Sequence, residues 1–499
     1  MPEVAVTPIP FFCVIGVYII LMAVIGAQAS RQTKTMHDYF VLSGKAGFIV
    51  SGIAYATTQY SMGTFLGTPG QIYNMGYAGL SITLPGVAFS MLIPAVLIGR
   101  KLITLGHREG FLTLSDYLAD RYESSNLSGL LGLTMLIFMV PMMGAQIIGT
   151  GILVNTFTGL PNWVGVVFMG AVVVAYCMSG GMRGAMMTDV IQGVLMFSAA
   201  VVAFILCVKM GGGLTALNAE LASLGEGFMT FPGNNGGMPW GFYVSNILMW
   251  SFLMMGQPHL FTKFFAMKDH KTMFNSVILA TVGMFVSAWM VCWAGALGRP
   301  LIGELSNPDY VIPIILQRGL PPVLASIFVA GIAAAGMSTI DGILVTATSA
   351  ATRDLYQKFI NKKATDDQVM RLSKYVTVII GVIVIIFGCF QPGSIFIINT
   401  FGFSGLATFT VPVLFGIYWR KATKPAAYAS IIAGMISVVA FTNVPALKAM
   451  LHGFHASVAG VAVGSIVMVV VSLLTPKFAA SEDTLRRHLL LGQPAGVKD

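Results

Sequence analysis

The sequence predicts an all-α integral membrane protein with about 13 transmembrane helices. Three observations predict it: a scarcity of charge, a series of long apolar runs, and a lopsided placement of basic residues. Only 9% of the 499 residues are charged and 56% are hydrophobic, whereas soluble domains carry about 25% charged residues. Mean hydropathy is +0.82. So few charges cannot cover a soluble surface of this size, so lipid must be the solvent for much of the chain. The net charge of +9 does not point to nucleic acid, because the basic residues sit in short loops between apolar runs.

Runs long enough to span ~30 Å of hydrocarbon lie at 11–29, 46–72, 78–104, 125–157, 161–180, 183–211 and 240–267 (spans 1–7). Spans 8–13 follow at 272–298, 320–352, 371–390, 394–418, 424–444 and 454–475. Span 1 is not a typical cleaved signal, because Met1–Pro10 has no Lys or Arg and the basic residues Arg31 and Lys34 follow it. That order puts the N-terminus outside, and 13 spans put the C-terminus in the cytoplasm. The assignment leaves 24 of the 28 basic residues inside and only Lys209, Arg299, Arg318 and Lys448 outside. A wrong span count would scramble this division. Between spans, 106–124 reads as an inner loop with a short amphipathic helix. Residues 212–239 read as a long outer loop with one helix and a Gly/Asn turn. Residues 476–499 read as a polar cytoplasmic tail, too short for a folded domain. The five cysteines fall in or at the ends of spans without a C-x-x-C pair, as buried apolar thiols do.

Two spans are interrupted. Span 2 carries the polar run Thr57, Thr58, Gln59, Tyr60, Ser61, then Gly63, Gly67 and Pro69. Span 7 carries Gly256, Gln257 and Pro258. Backbone inside a bilayer must satisfy its own hydrogen bonds, so a break is tolerated only where it is buried in protein or lines a cavity. Transporters use such breaks to hold ions and solutes. The two spans are five apart and head two five-helix halves, 46–211 and 240–418, as an inverted repeat requires. Residues 1–475 then form one transmembrane domain, with span 1 (11–29) and spans 12 and 13 (424–475) flanking the repeats. Ordinary kinked helices would show similar Gly and Pro.

Span 9 holds Ala335, Ser338, Thr339 and Asp341 in sequence. Two hydroxyls, a freed carbonyl at Ala335 and unwound carbonyls of span 2 would give a hard cation such as sodium five oxygen ligands. The hydroxyls could instead bond carbonyls one turn earlier. Asp189 in span 6 and Asp341 are carboxylates within membrane spans, which makes them candidates for a second cation or proton site. Asp189 could also pair with Arg183, and Asp341 could pair locally.

Several long segments in order resemble the sodium:solute symporter family. They are GGMRGAMMTDVIQGVLMF (180–197), GQPHLFTKFFAMKD (256–269), AAAGMSTIDGILVTATSAATRDLY (333–356) and PVLFGIYWRKATKPAAYAS (412–430). The resemblance covers about residues 10–475. It implies a five-plus-five inverted-repeat (LeuT-type) fold with flanking helices, sodium as the coupling ion and alternating access. Carried over residue by residue, it implies a sodium site of the carbonyls of Thr57, Tyr60 and Ala335 with the hydroxyls of Ser338 and Thr339. Some members bind a second sodium near the acid matching Asp189. There the following hydroxyl positions are Asp341 and Gly342 in this chain, which is a departure.

Within the family, GALGRPLIGELSNPDYVIPIILQRGLPP (295–322) is similar to the sodium/pantothenate branch. The proline branch has an acid in the broken span where this chain has Gln59. A solute ammonium in a low-dielectric site would need that charge. The expectation is sodium-coupled symport of a small carboxylate such as pantothenate across the bacterial inner membrane. Proline, a short monocarboxylate and proton coupling are the alternatives. Gln59, Ser61, Gln146, Trp250, Met254 and Gln257 are the candidate substrate-facing residues. No P-loop, no H-E-x-x-H cluster and no signalling module is present, so ATP drive, a membrane enzyme and a receptor are not expected.

Overall fold

The computed structural model describes residues 7–32 and 47–489. Expectations resting on Lys34, Lys45, Lys498 and the side chain of Arg183 fall outside the described residues and side chains. Among the described residues the fold is all helix, with one lone bridge between Thr423 and Ala479. Among the described residues, ten helices are long and apolar enough to cross a membrane. The other expected spans are the two interrupted ones and the shorter apolar stretch Asn162–Ala175.

Spans 5 and 6 form one helical run, Asn162–Met210, of 49 residues. Straight, it would reach about 74 Å. Its two ends instead meet one short helix, Val311–Gly319, and the residue just before it. Tyr310 bonds Asn162 at 3.1 Å, and Met210 packs on Gly319. The run therefore doubles back, and its two arms act as two spans.

Span 9 (Pro322–Ser349) is the central post, and every residue from Val329 to Ala350 is buried. Small residues let its neighbours approach closely. A Cβ on Gly331 would lie 2.6 Å from the Leu195 carbonyl of span 6, and one on Gly336 would lie 2.7 Å from Met62 of span 2. Gly193 of span 6 in turn touches Ile53 and Thr57. Spans 2, 6 and 9 thus converge on one point.

Span 2 is broken as the sequence predicts. Phe48–Gln59 is α-helical, and Tyr60 is extended (φ −71°, ψ 119°). A wide turn at Gly63–Gly67 and the helix Thr68–Met75 follow. Span 7 breaks at Gln257 (φ −81°, ψ 111°), between Trp240–Ser251 with the tight turn Leu253–Gly256 and the helix Pro258–Ala266. That break docks on a kink in span 11, between Ile395–Ala407 and Thr410–Tyr418. A Cβ on Gly256 would lie 2.7 Å from the Leu406 carbonyl, and Thr410 donates to the Leu253 carbonyl at 3.3 Å.

The short helices also form. Leu114–Arg121 starts with a capping box between Thr113 and Asp116, and Leu214–Ser223 lies in the 212–239 loop. Residues 476–489 of the segment expected to be a polar tail are structured. Its helix Glu482–Leu489 docks on the face that carries the basic loops. Arg487 pairs with Glu109 and Asp120 at 3.0 and 3.2 Å, and His488 meets Asp120 at 2.6 Å. These contacts hold the 106–124 loop to the chain's last helix.

On the opposite face Asp309 joins two repeat elements. Its Oδ2 accepts from Ile395 N at 3.1 Å, at the start of span 11, and its Oδ1 lies against Gly70 of span 2. Burial pushes its carboxyl up to about 6, and the Ile395 N–H only partly offsets this. A carboxyl raised in the folded state favours folding at pH below about 4, and that contribution is lost as pH rises through about 6. Asp309→Asn fixes the neutral form. Its thermal midpoint relative to wild type should therefore rise between pH 4 and 6 and level off above 7. A difference constant across that range would contradict the burial.

Candidate functional site

At the break, span 2 stops donating to its own carbonyls and span 9 takes over. Ser338 Oγ donates to Thr57 O at 3.1 Å, and Thr339 Oγ1 donates to Tyr60 O at 2.7 Å. Both hydroxyls also lie near Ala335 O, at 3.3 and 2.9 Å. The five oxygens named from the sequence therefore form one cluster, and all five residues are buried. Back-bonding within span 9, the alternative use of these hydroxyls, occurs together with the inter-helix bonds rather than instead of them. The cluster holds neutral oxygens with lone pairs to spare, and both hydroxyl hydrogens can rotate away. That is the donor set a dehydrated hard cation accepts.

The second half of span 2 begins with orphan N–H groups. Gln146, from span 4, accepts from Met62 N at 2.7 Å and donates to Asn399 of span 11 at 3.3 Å. Ser61 and Thr64 bond each other's backbone N–H at 3.3 and 3.4 Å, and Thr64 also donates to Gln59 O. Tyr60 OH bonds Ser287 and ties the break to span 8.

Beside the break lies a cleft with a mixed polar and apolar wall. Gln59, Ser61 and Trp250, each named from the sequence, line it. Gln59 Nε2 has no hydrogen-bond partner among the described residues. The Trp250 ring sits 5.0 Å from Phe403 and walls one side. The structure places the other three candidates away from the cleft lining. Gln146 caps span 2. Gln257 donates to the Phe403 carbonyl at 3.3 Å, and Met254 is packed in the core. Thr64, Thr68, Ser90, Met284 and Cys292 line the cleft and were not anticipated. Thr64 and Thr68 had a readable signal, since they continue one helical face after Ser61.

Lys263 is the larger surprise. Charge counting assigns it to an inner loop, yet it is buried in the second half of span 7. Its Nζ lies 2.9 Å from Asp189 Oδ2, with side-chain exposures of 2% and 1%. Asp189 also lies beside the Thr57 side chain. The sequence does place Lys263 within an apolar run, FTKFF, and that was the missed signal. Asp341, one turn beyond Ser338, is 1% exposed. Asp341 and Asp189 both lie within electrostatic range of Tyr18, whose hydroxyl accepts from Gln192 at 2.7 Å.

Two broken helices, one in each five-helix half and each set against partner spans, with an oxygen cluster and a cleft beside the first, define a secondary transporter. The family model for the sodium:solute symporter family matches residues 39–434, and the chain belongs to that family. The sodium/pantothenate symporter of Escherichia coli (strain K12) is 30% identical over 448 residues, 88% of this chain and 91% of that protein. An osmoregulated proline transporter of Bacillus subtilis (strain 168) is 24% identical over 484 residues, covering 93% and 94% of the two chains. A solved Na+-coupled sialic acid symporter, substrate-bound and outward-open, superposes with a TM-score of 0.79 at 19% identity, covering 94% of this chain and 98% of that one.

Removing one partner of a buried ion pair leaves an uncompensated charge and costs about 3–5 kcal/mol. Lys263→Met should lower stability by that order in detergent-solubilised protein followed by tryptophan fluorescence. The double change Lys263→Met with Asp189→Leu should recover most of it. A single-variant loss below about 1 kcal/mol would show that solvent reaches the pair.

Proposed function

We propose that this chain couples the entry of one sodium ion to the uptake of a small carboxylate of the pantothenate class across a bacterial inner membrane. The basic face is cytoplasmic in this reading, with the N-terminus outside. One observation carries it: Ser338 and Thr339 reach across to the carbonyls freed at Thr57 and Tyr60. An ion in that cluster bonds both the broken span and the central post. It adds positive charge beside a cleft whose lining residues include no Lys or Arg. An anionic solute then binds better with sodium present, and linkage makes the preference mutual. One sodium and one carboxylate carry no net charge inward, so the sodium concentration gradient supplies the drive.

Lys263 supports a single sodium. Its ammonium already occupies the cation position beside Asp189. Asp341 is then the carboxylate that a second cation or a proton would use. The absence of an acid among the cleft-lining residues disfavours an amino acid such as proline, whose ammonium would have no partner there. The 30% identity to a sodium/pantothenate symporter supports the same solute class.

Uptake of labelled pantothenate into proteoliposomes should follow a sodium gradient and not a pH gradient alone. Ser338→Ala with Thr339→Ala removes two ion contacts. It should raise the sodium concentration for half-maximal uptake by about 10-fold or more, since contacts to charged groups contribute about 1.5–3 kcal/mol each. Unchanged sodium dependence in that variant would sink the ion-site assignment.

A further inference from the structure

A second cavity opens on the outer face, with Gln71, Asn74, Asn234, Asn235, Arg299 and Glu304 in its wall. It is built on the same two helices as the cleft. Thr64 and Thr68 line the cleft, and Gln71 lines the outer cavity, one stripe along the second half of span 2. On span 8, Cys292 lines the cleft, and Arg299 lines the outer cavity about 10 Å further along. Between the two levels the helices touch. A Cβ on Gly295 would lie 2.6 Å from the Pro69 carbonyl. The outer cavity is thus stacked above the cleft, one helix contact away.

Arg299 supplies the positive charge that the cleft lining lacks. Its guanidinium lies 5.2 Å from the Tyr73 ring centre and 5.7 Å from that of Phe228, and it is only 16% exposed. The rings hold it in place. Its Nη2 meets Glu304 Oε1 at 2.9 Å, but the Glu304 side chain is 88% exposed. A pair with one partner so exposed is held weakly, so an incoming carboxylate can replace Glu304 at little cost. The fork of a guanidinium suits a carboxylate, and the surrounding amides suit hydroxyl and amide groups.

We propose that this cavity is a capture site for organic carboxylates on the outer face. Arg299 exchanges Glu304 for the solute's carboxylate, and the amide side chains bond its neutral polar groups. The solute reaches the cleft when span 2 and span 8 part at Gly295 and Pro69. The inference deepens the carboxylate reading above and rests on it only for transport. Capture itself needs no sodium, because the site is remote from Ser338 and Thr339.

Two measurements on the full chain test it. The first is equilibrium binding of labelled pantothenate in nanodiscs in sodium-free choline buffer, with pantothenyl alcohol as the uncharged competitor. Wild type should bind weakly. Arg299→Gln should lose about 10-fold or more in affinity, and Glu304→Gln should gain about 3-fold. Equimolar pantothenyl alcohol should not compete. The second is sodium-driven uptake, in which Arg299→Gln should raise KM about 10-fold with the maximal rate little changed. Absent sodium-free binding, binding indifferent to both Arg299→Gln and Glu304→Gln, or equal competition by the alcohol would overturn the capture site. If wild type fails to take up pantothenate while Arg299-dependent binding persists, the solute reading falls and the capture site stands.

Discussion

A peptide carbonyl buried without a donor is costly, and in hydrocarbon no water relieves it. Span 2 abandons its helix at Tyr60, so it must find donors elsewhere for the carbonyls it frees. Ser338 and Thr339 supply them from the buried central post, span 9. Much else serves that meeting. Gly193, Gly331 and Gly336 bring three helices close enough for it, and Gln146 and Ser61 satisfy the N–H groups on the other side of the break. In the proposed coupling, a cation satisfies the same carbonyls, so the structural requirement and the proposed ion site share one set of atoms.

Charge inside the protein follows a similar rule. Lys263 and Asp189 are each too costly to bury alone, and they are buried together. The pair links span 7 to span 6 next to Thr57, so it braces the first half of span 2 from the side opposite the cleft. On the basic face, Asp116 joins Arg353 and Lys358 at 3.2 and 2.5 Å, which ties the 106–124 loop to the end of span 9. Burial alone would raise the Asp116 carboxyl, but Arg353 and Lys358 outweigh it and hold it below the usual carboxylate range. The loop stays anchored by charge at neutral pH.

The fold was legible in the sequence because lipid imposes strict rules. Apolar length, loop charge and polar breaks each follow from the cost of exposing peptide groups or charges to hydrocarbon. The oxygen cluster was legible for the same reason, since hydroxyls in tandem beside small residues have few other uses in a central helix. Side-chain direction was not legible. Gln146, Met254 and Gln257 sit at the right depth but turn toward backbone and core, because the kink of span 11 and the second half of span 2 compete for them. Lys263 was misplaced because loop counting treats a lysine near a span end as solvated, and only its partner on another helix reveals otherwise. The docking of Glu482–Leu489 depends on complementary acids nearly 370 positions earlier, which no local pattern shows.

Gln146 touches both halves of the repeat through a single amide. Its oxygen reads the position of Met62 in the first half, and its nitrogen reads Asn399 in the second. A shift of the span 2 break by a fraction of an ångström would strain one bond and load the other. The amide therefore ties the break in span 2 to span 11 through side-chain hydrogen bonds alone.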